Sequence, residues 1–331
     1  MASSDPDAPA ADSSKERPPL LTGPVRQHYV PKFYLKSFAA TDGCVAVVER
    51  SGRSYRASPL NTAVQKHFYT FRDDDGQMRY ELEAALSDIE SQGSEAISHL
   101  IGRTTFDQDD RRHLAAFIAM LHVRTPAMVE SVQHGTGELT KKLLGRMFHS
   151  HDFTTASLKM MPQFSHLTPA ELDQTASRIS EFVRTGEYTL EVDHQFSLAS
   201  SVSMANEVAA ILMQRTWTLI QAPDRHAFIT TDAPVVLTAA TRSSQMRGVG
   251  FASADAVVLC PLRPGFMLVM EGAEEKVLRA VADARFVRRL NILVAQRSKR
   301  FVLGRDDALV ASIARASGLT SRGWKPAFSV L

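Results

Sequence analysis

The stretch ANEVAAILMQRTWTLIQ, residues 205–221, decides the reading of the fold. Its first half closes an Ala- and Met-rich helical pattern that spans residues 193–214. After Arg215 the period changes from helix to strand, and Trp217–Gln221 reads as extended chain. Upstream of this switch the sequence is mainly helical. Downstream, short apolar runs alternate with Pro and Gly, which is the pattern of strands and turns.

Working back from the switch, Leu82, Leu86, Ile89, Ile97, Leu100 and Ile101 fall mostly on one face of a helix over 79–102. Asp107 or Asp109 caps the next helix, which carries Leu114, Phe117, Ile118 and Leu121 at helical spacing and is broken by Pro126. A further helix reaches Phe148, with a weak point at Gly135 and Gly137. Thr168-Pro169-Ala170-Glu171 starts another that runs to Arg184. Nearer the start, a short helix spans Pro31–Ala39. Cys44–Glu49 and Ser54–Ala57 form a hairpin, and His67–Phe71 reads as a third strand. Beyond the switch, strands are expected at Ala227–Thr231, Val235–Leu237, Ala256–Leu259, Met267–Met270 and Arg300–Leu303. Helices are expected over 273–296 and Asp306–Ala316. The architecture is therefore α+β, one domain over 25–331, with a helical section over 79–214 and a β-rich section over 215–303. The terminal strand groups are expected to share one sheet. Residues 1–24 hold five of the fifteen prolines and read as a disordered tail.

The 331 residues are 44% hydrophobic and 22% charged, ordinary globular usage that excludes collagen, a disulfide scaffold and long-range disorder. Cys44 and Cys260 lie far apart without metal-binding spacing and read as reduced thiols. No secretory leader pattern is visible, and no uninterrupted apolar run nears the roughly 18 residues of a membrane span. A cytoplasmic protein without a membrane partner is expected. The 38 basic and 36 acidic residues leave +2. From residue 271 onward, 12 basic residues face 6 acidic ones, so a basic C-terminal third is balanced by a slightly acidic body.

Candidate chemistry falls in five places. His28, just before a helix start, can act as general base or ligand, with Lys32 one turn on to hold an anion. Glu83 and Glu90 stand two turns apart on one helix and can each bind a metal or form salt bridges. Arg124, in His122-x-Arg124-Thr125-Pro126, can clamp a phosphate or close a helix. Asp232 interrupts an apolar strand and can be a catalytic carboxylate, a metal ligand or an Asx-turn residue. Residues 284–305 carry seven basic residues and no acid, with Arg288 and Arg289 as candidate phosphate contacts. No Walker-type loop, G-x-G-x-x-G, H-E-x-x-H or G-x-S-x-G occurs.

The block Gln27-His28-Tyr29-Val30-Pro31-Lys32-Phe33-Tyr34-Leu35-Lys36-Ser37-Phe38 resembles the start of the prokaryotic family called domain of unknown function 4238. His67-Phe68-Tyr69, Ile89-Glu90, Arg124-Thr125-Pro126, Phe228 to Val235 and Pro261-Leu262 follow in the family's order. The resemblance implies no mechanism; it implies a setting in bacterial defence against phage. At position 122 the resemblance implies Gln at least as often as His.

These readings point to an intracellular effector acting on DNA or RNA, expected as a metal-dependent nuclease. His28 and Asp232 would be catalytic. Glu83, Glu90 and Asp232 would hold a divalent ion, Mg²⁺ or Mn²⁺. Lys32, Arg124, Arg288 and Arg289 would hold phosphates. Two alternatives stand beside it: a non-catalytic sensor or adaptor in which the same residues are structural, and an enzyme acting on a nucleotide-like small molecule.

Overall fold

A computed structural model describes residues 20–102, 106–240 and 248–320. The chain opens with β1 (Arg26–His28) and α1 (Lys32–Ser37), then the hairpin β2 (Val45–Glu49) and β3 (Ser54–Ala57). Short strands β4 (Val64–Lys66), β5 (Phe71–Arg72) and β6 (Met78–Arg79) lead into the helical section. This comprises α2 (Glu81–Gly102), α3 (Gln108–Val123), α4 (Pro126–Met147), α5 (His151–Lys159), α6 (Pro169–Thr185), α7 (His194–Ser203) and α8 (Ala205–Met213). Strands β7 (Thr216–Gln221), β8 (Thr230–Thr231), β9 (Val236–Ala239), β10 (Ala256–Arg263), β11 (Phe266–Glu271) and β12 (Val277–Val281) follow. Helix α9 (Ala284–Arg297), β13 (Phe301–Gly304) and α10 (Asp307–Ala316) complete the described chain. The fold is α+β.

Two sheets carry the architecture. The larger has the order β12-β7-β11-β10-β9 and is antiparallel except for β12, which runs parallel to β7. Its residues alternate between two cores, as the two-residue period of a strand requires. Trp217, Leu219, Val258, Cys260, Leu268 and Met270 face the main core with α3 and α8. Ile220, Leu259, Met267 and Val269 face Val287, Leu290 and Val294 of α9. The smaller sheet, β3-β2-β13-β8, joins the N-terminal hairpin to C-terminal strands. There Val45, Val47 and Leu303 face the main core, while Ala46, Val48 and Val302 meet Val310 and Ile313 of α10. The terminal strand groups thus do share a sheet, through β2 and β13, and the other C-terminal strands build the larger sheet beside it.

Local chemistry explains the helix ends. Asp107 and Asp110 form a capping box at α3, and Thr168 and Glu171 form one at α6. Pro126 is the first residue of α4, with Thr125 as its cap. Helix α4 runs through Gly135 and Gly137 without a break.

Four expectations are corrected. His67 adopts φ 50° and ends β4, so His67–Phe71 is mostly turn. The 193–214 helix divides at Met204 into α7 and α8. Only Thr230–Thr231 of the 227–231 run pairs as strand. The amide of Phe228 donates to Pro264 O and that of Ile229 to Asn291 Oδ1 instead of to a ladder. Residues 277–281, placed in a helix by the sequence, form β12, because the edge of β7 offers a full parallel register that overrides local helix propensity.

Residues 1–19 lie outside the described residues. Leu20 hydrogen-bonds through its amide to Glu81 Oε1 and through its carbonyl to the Tyr80 amide. Among the described residues, the helical stretch His194–Met213 is the one long and apolar enough to cross a membrane by length and composition. Its Leu198, Ala205 and Leu212 lie in the main core.

Helices α2 and α3 approach closely because residue 93 is glycine. A Cβ there would stand 2.5 Å from Phe117 Cγ and 2.6 Å from its Cβ. Gly93→Ala is expected to cost about 1–3 kcal/mol of stability through overpacking, read as a lowered urea midpoint. An unchanged midpoint would show that the two helices can part without penalty.

Candidate functional site

Gln27 builds the platform. It faces inward from β1, and its Oε1 accepts the Tyr69 amide at 2.6 Å while Nε2 donates to Thr70 Oγ1 at 3.3 Å. The next side chain on a strand points the other way, so His28 is half-buried on the open side. His28 Nε2 lies 3.2 Å from Pro59 O. A carbonyl only accepts, so Nε2 carries the proton and Nδ1 keeps its lone pair. Burial lowers the pKa of His28 from its ordinary value of 6.5. The Pro59 hydrogen bond and the charge of Glu90 oppose that shift, and Lys32 and Arg26 add to it. At neutral pH the ring is an uncharged base.

Helix α2 supplies Glu83 and Glu90, and the end of α3 supplies Arg124, which is 1% exposed. Arg124 Nη1 donates to Glu90 Oε1 at 2.8 Å. Its Nε and Nη2 are buried without a hydrogen-bond partner among the described residues, and so is Glu83 Oε2. Such groups are rare in folded proteins because each forfeits its hydration. Burial raises the pKa of Glu83; Arg124 opposes the shift and Glu90 reinforces it. Tyr69 closes the far side, its hydroxyl donating to the Arg124 carbonyl at 3.1 Å. His28, Lys32, Glu83, Glu90 and Arg124 therefore share one electrostatic neighbourhood: a neutral base, a carboxyl with raised pKa and a guanidinium with free donors.

A family model described as protein of unknown function (DUF4238) matches residues 26–308. The chain belongs to this family. No curated protein and no solved structure matches it significantly. The region that defines the family begins at β1 and contains every residue of the cluster.

Asp232 is engaged by the C-terminal strands. It is buried and locks a turn: Oδ1 accepts the amides of Lys299 at 3.1 Å and Phe301 at 3.5 Å, and Oδ2 accepts that of Arg300 at 2.9 Å. Burial pushes its pKa up to about 6 against the pull of those amides. Among the described residues no three His, Cys, Asp or Glu side chains group to hold a metal ion. Glu83, Glu90 and Asp232 therefore do not form the expected ligand set for Mg²⁺ or Mn²⁺. Backbone amides occupy Asp232, and the Arg124 cation beside Glu83 and Glu90 opposes a second positive charge.

The remaining candidates separate. Arg288 donates to Ser312 Oγ at 3.1 Å and lines a surface cleft, whereas Arg289 lies over the Phe286 ring, 5.3 Å from its centroid. His122 packs edge-on against Phe251, and burial lowers its imidazole to about 4, a structural neutral ring. Gln27 and Tyr69 escaped the sequence reading of the site. The signal for them was polar atoms on otherwise core-facing positions beside His28 and Phe68.

Asp232→Ala removes the acceptor for three buried amides, and a loss on the order of 2–4 kcal/mol is expected by chemical denaturation. The folded pKa of Asp232 is above the ordinary 3.8, so its protonated form favours the native state. Its contribution to stability is full below that ordinary value and falls as pH rises through about 6. Denaturation midpoints of wild type and Asp232→Ala across that range should differ least at the alkaline end. A constant difference would contradict the titration.

Proposed function

We propose that the protein is a hydrolase of phosphodiester bonds in DNA or RNA, working by acid–base chemistry at the His28, Glu83 and Arg124 cluster. The observation that supports this reading is a buried guanidinium with two nitrogens unpartnered among the described residues, paired to Glu90, whose charge also acts on a histidine held in one tautomer. His28 Nδ1 takes a proton from the attacking water as its oxygen bonds to phosphorus. The bond from phosphorus to the leaving oxygen breaks, and Glu83 delivers its proton to that oxygen. The exposed Lys32 ammonium holds the non-bridging oxygens as charge develops on them, and the buried Arg124 guanidinium adds a fixed positive charge beneath. Glu90 keeps the guanidinium oriented. The defence setting implied by the family resemblance would supply foreign nucleic acid as substrate.

A second reading, a non-catalytic sensor or adaptor, draws support from the structural bonds of the same residues: Arg124 on Glu90, Tyr69 on the Arg124 carbonyl and Asp232 on three amides. End-labelled single-stranded DNA and RNA separate the two. The hydrolase should cut one of them, and His28→Ala should slow cutting by about 10²–10⁴-fold while leaving the fold intact. Lys32→Ala should act mainly on KM. No cutting by wild type, or equal cutting by His28→Ala, leaves the structural reading in possession.

The rate should follow a bell in pH, with its acid limb set by His28 below 6.5 and its alkaline limb by Glu83 above 4.5. The optimum lies midway between the two pKa values. In Glu83→Gln the alkaline limb should disappear and the acid limb remain; persistence of both limbs would remove Glu83 from the role of acid.

A further inference from the structure

A second feature lies on other elements. The turn at residues 224–226, the first turns of α9 and the loop after β13 enclose a surface cleft of about 500 Å³. Small-ligand sites commonly span about 300–1,000 Å³. Arg225, Arg285, Arg288 and Arg305 line the cleft together with His226. Asp306 is the one acid in the lining, and its Oδ1 is committed as the cap of α10, accepting the Leu309 amide at 2.6 Å. None of the four arginines forms an ion pair with another described residue.

Three observations show that this charge is arranged at a cost to the fold. Arg225 adopts φ 64°, a left-handed conformation that an L-residue pays to hold, and it does so in a turn braced by His226 N to Pro223 O. At the start of α9 the Asp283 carboxylate is committed as the cap, accepting the Phe286 amide at 2.7 Å, while Arg285, Arg288 and Arg289 crowd the end of the helix where a positive charge is disfavoured. Asn291 spends its buried side chain pinning the turn segment to α9, through Nδ2 to Ala227 O at 2.9 Å and Oδ1 from the Ile229 amide at 3.0 Å. The floor is thus fixed and the cations above it are unmatched. Arg285 and Arg288 stand three residues apart on one helix face, close enough to converge on a single anion. The Arg288 guanidinium is steadied by Ser312 and keeps its remaining donors for a ligand.

We propose that this cleft binds a single polyphosphorylated ligand of the nucleoside di- or triphosphate class. Arginine forks match phosphate oxygens bidentately, and four of them suit a polyphosphate better than one phosphate group. Ala227, Ala284, Val287 and Leu309 supply an apolar wall for the rest of the molecule. The lining contains one ring, that of His226, and so lacks the succession of aromatic platforms on which a nucleic-acid strand stacks its bases. The site shares no residue with the His28 cluster, and the inference does not depend on the hydrolytic reading.

Isothermal titration of the full chain with ATP tests it. Saturable one-site binding is expected, displaced by inorganic tripolyphosphate and far weaker with inorganic phosphate. Arg285→Ala combined with Arg288→Ala should weaken ATP by at least about tenfold. Arg225→Gly separates binding from folding, because it removes a cation and relieves the left-handed strain. Its Tm should hold or rise while ATP affinity falls. Should the double variant fail to fold, Arg305→Gln serves in its place with the same expected loss. Absence of ATP binding at millimolar concentration, or affinity unchanged in these variants, overturns the proposal. So does an oligonucleotide that outcompetes ATP through the same arginines.

Discussion

Arg124 carries a full positive charge in a place that water barely reaches, and the central part of the molecule is arranged around it. Removing a guanidinium from water costs several kcal/mol, which a single ion pair offsets only in part. The protein meets that cost with Glu90 from α2 on one side of the charge. Tyr69, itself fixed by Gln27, bonds to the backbone carbonyl of the same residue. Through its side chain and its carbonyl, this one residue ties the first strand, the long helix and the junction between α3 and α4 into one unit. Two of its nitrogens remain unsatisfied even so.

The C-terminal half serves this unit as a scaffold. The larger sheet is covered on both faces, by the helical section on one and by α9 on the other. Asp232 fastens the beginning of β13 to the turn after β8, and β13 fastens the hairpin that follows the His28 block. Tyr34 adds a third tie, its buried hydroxyl bonding to Thr230 Oγ1 and to the Pro261 carbonyl. The residues after His28 are thus anchored to strands more than 190 positions away in sequence, as the separation of 196 between Tyr34 and Thr230 shows.

What the sequence made legible follows the range of the forces involved. Local chemistry was readable: the capping boxes at Asp107 and Thr168, the break at Pro126 and the β2–β3 hairpin depend on neighbours a few residues apart. The candidate residues His28, Lys32, Glu83, Glu90 and Arg124 were readable as polar intrusions in apolar elements, and the fold does bring them together. Asp232 accepts three backbone amides, a role the sequence could not show, because an acid at a strand end looks the same whether it meets substrate or backbone amides. Strand β12 was unreadable because its pairing with β7 is a tertiary choice, and the sequence EEKVLRAV around it suits a helix equally well. The arginine cleft showed only as a basic run, since Arg225 joins it from sixty residues upstream of Arg285.

The pairing of β2 with β13 also constrains how the chain must be made. When Val45–Glu49 leaves the ribosome, its partner Phe301–Gly304 lies about 250 residues behind. At roughly 5–20 residues per second, the hairpin waits on the order of 10–50 s with an apolar edge unpaired. This sheet therefore cannot be completed until β13 has been made, and its rate of completion is governed by closure of a loop of about 250 residues. Until then the outer edge of β2 is open to pairing with any other extended chain, so the long separation of the two strands is also a hazard of aggregation.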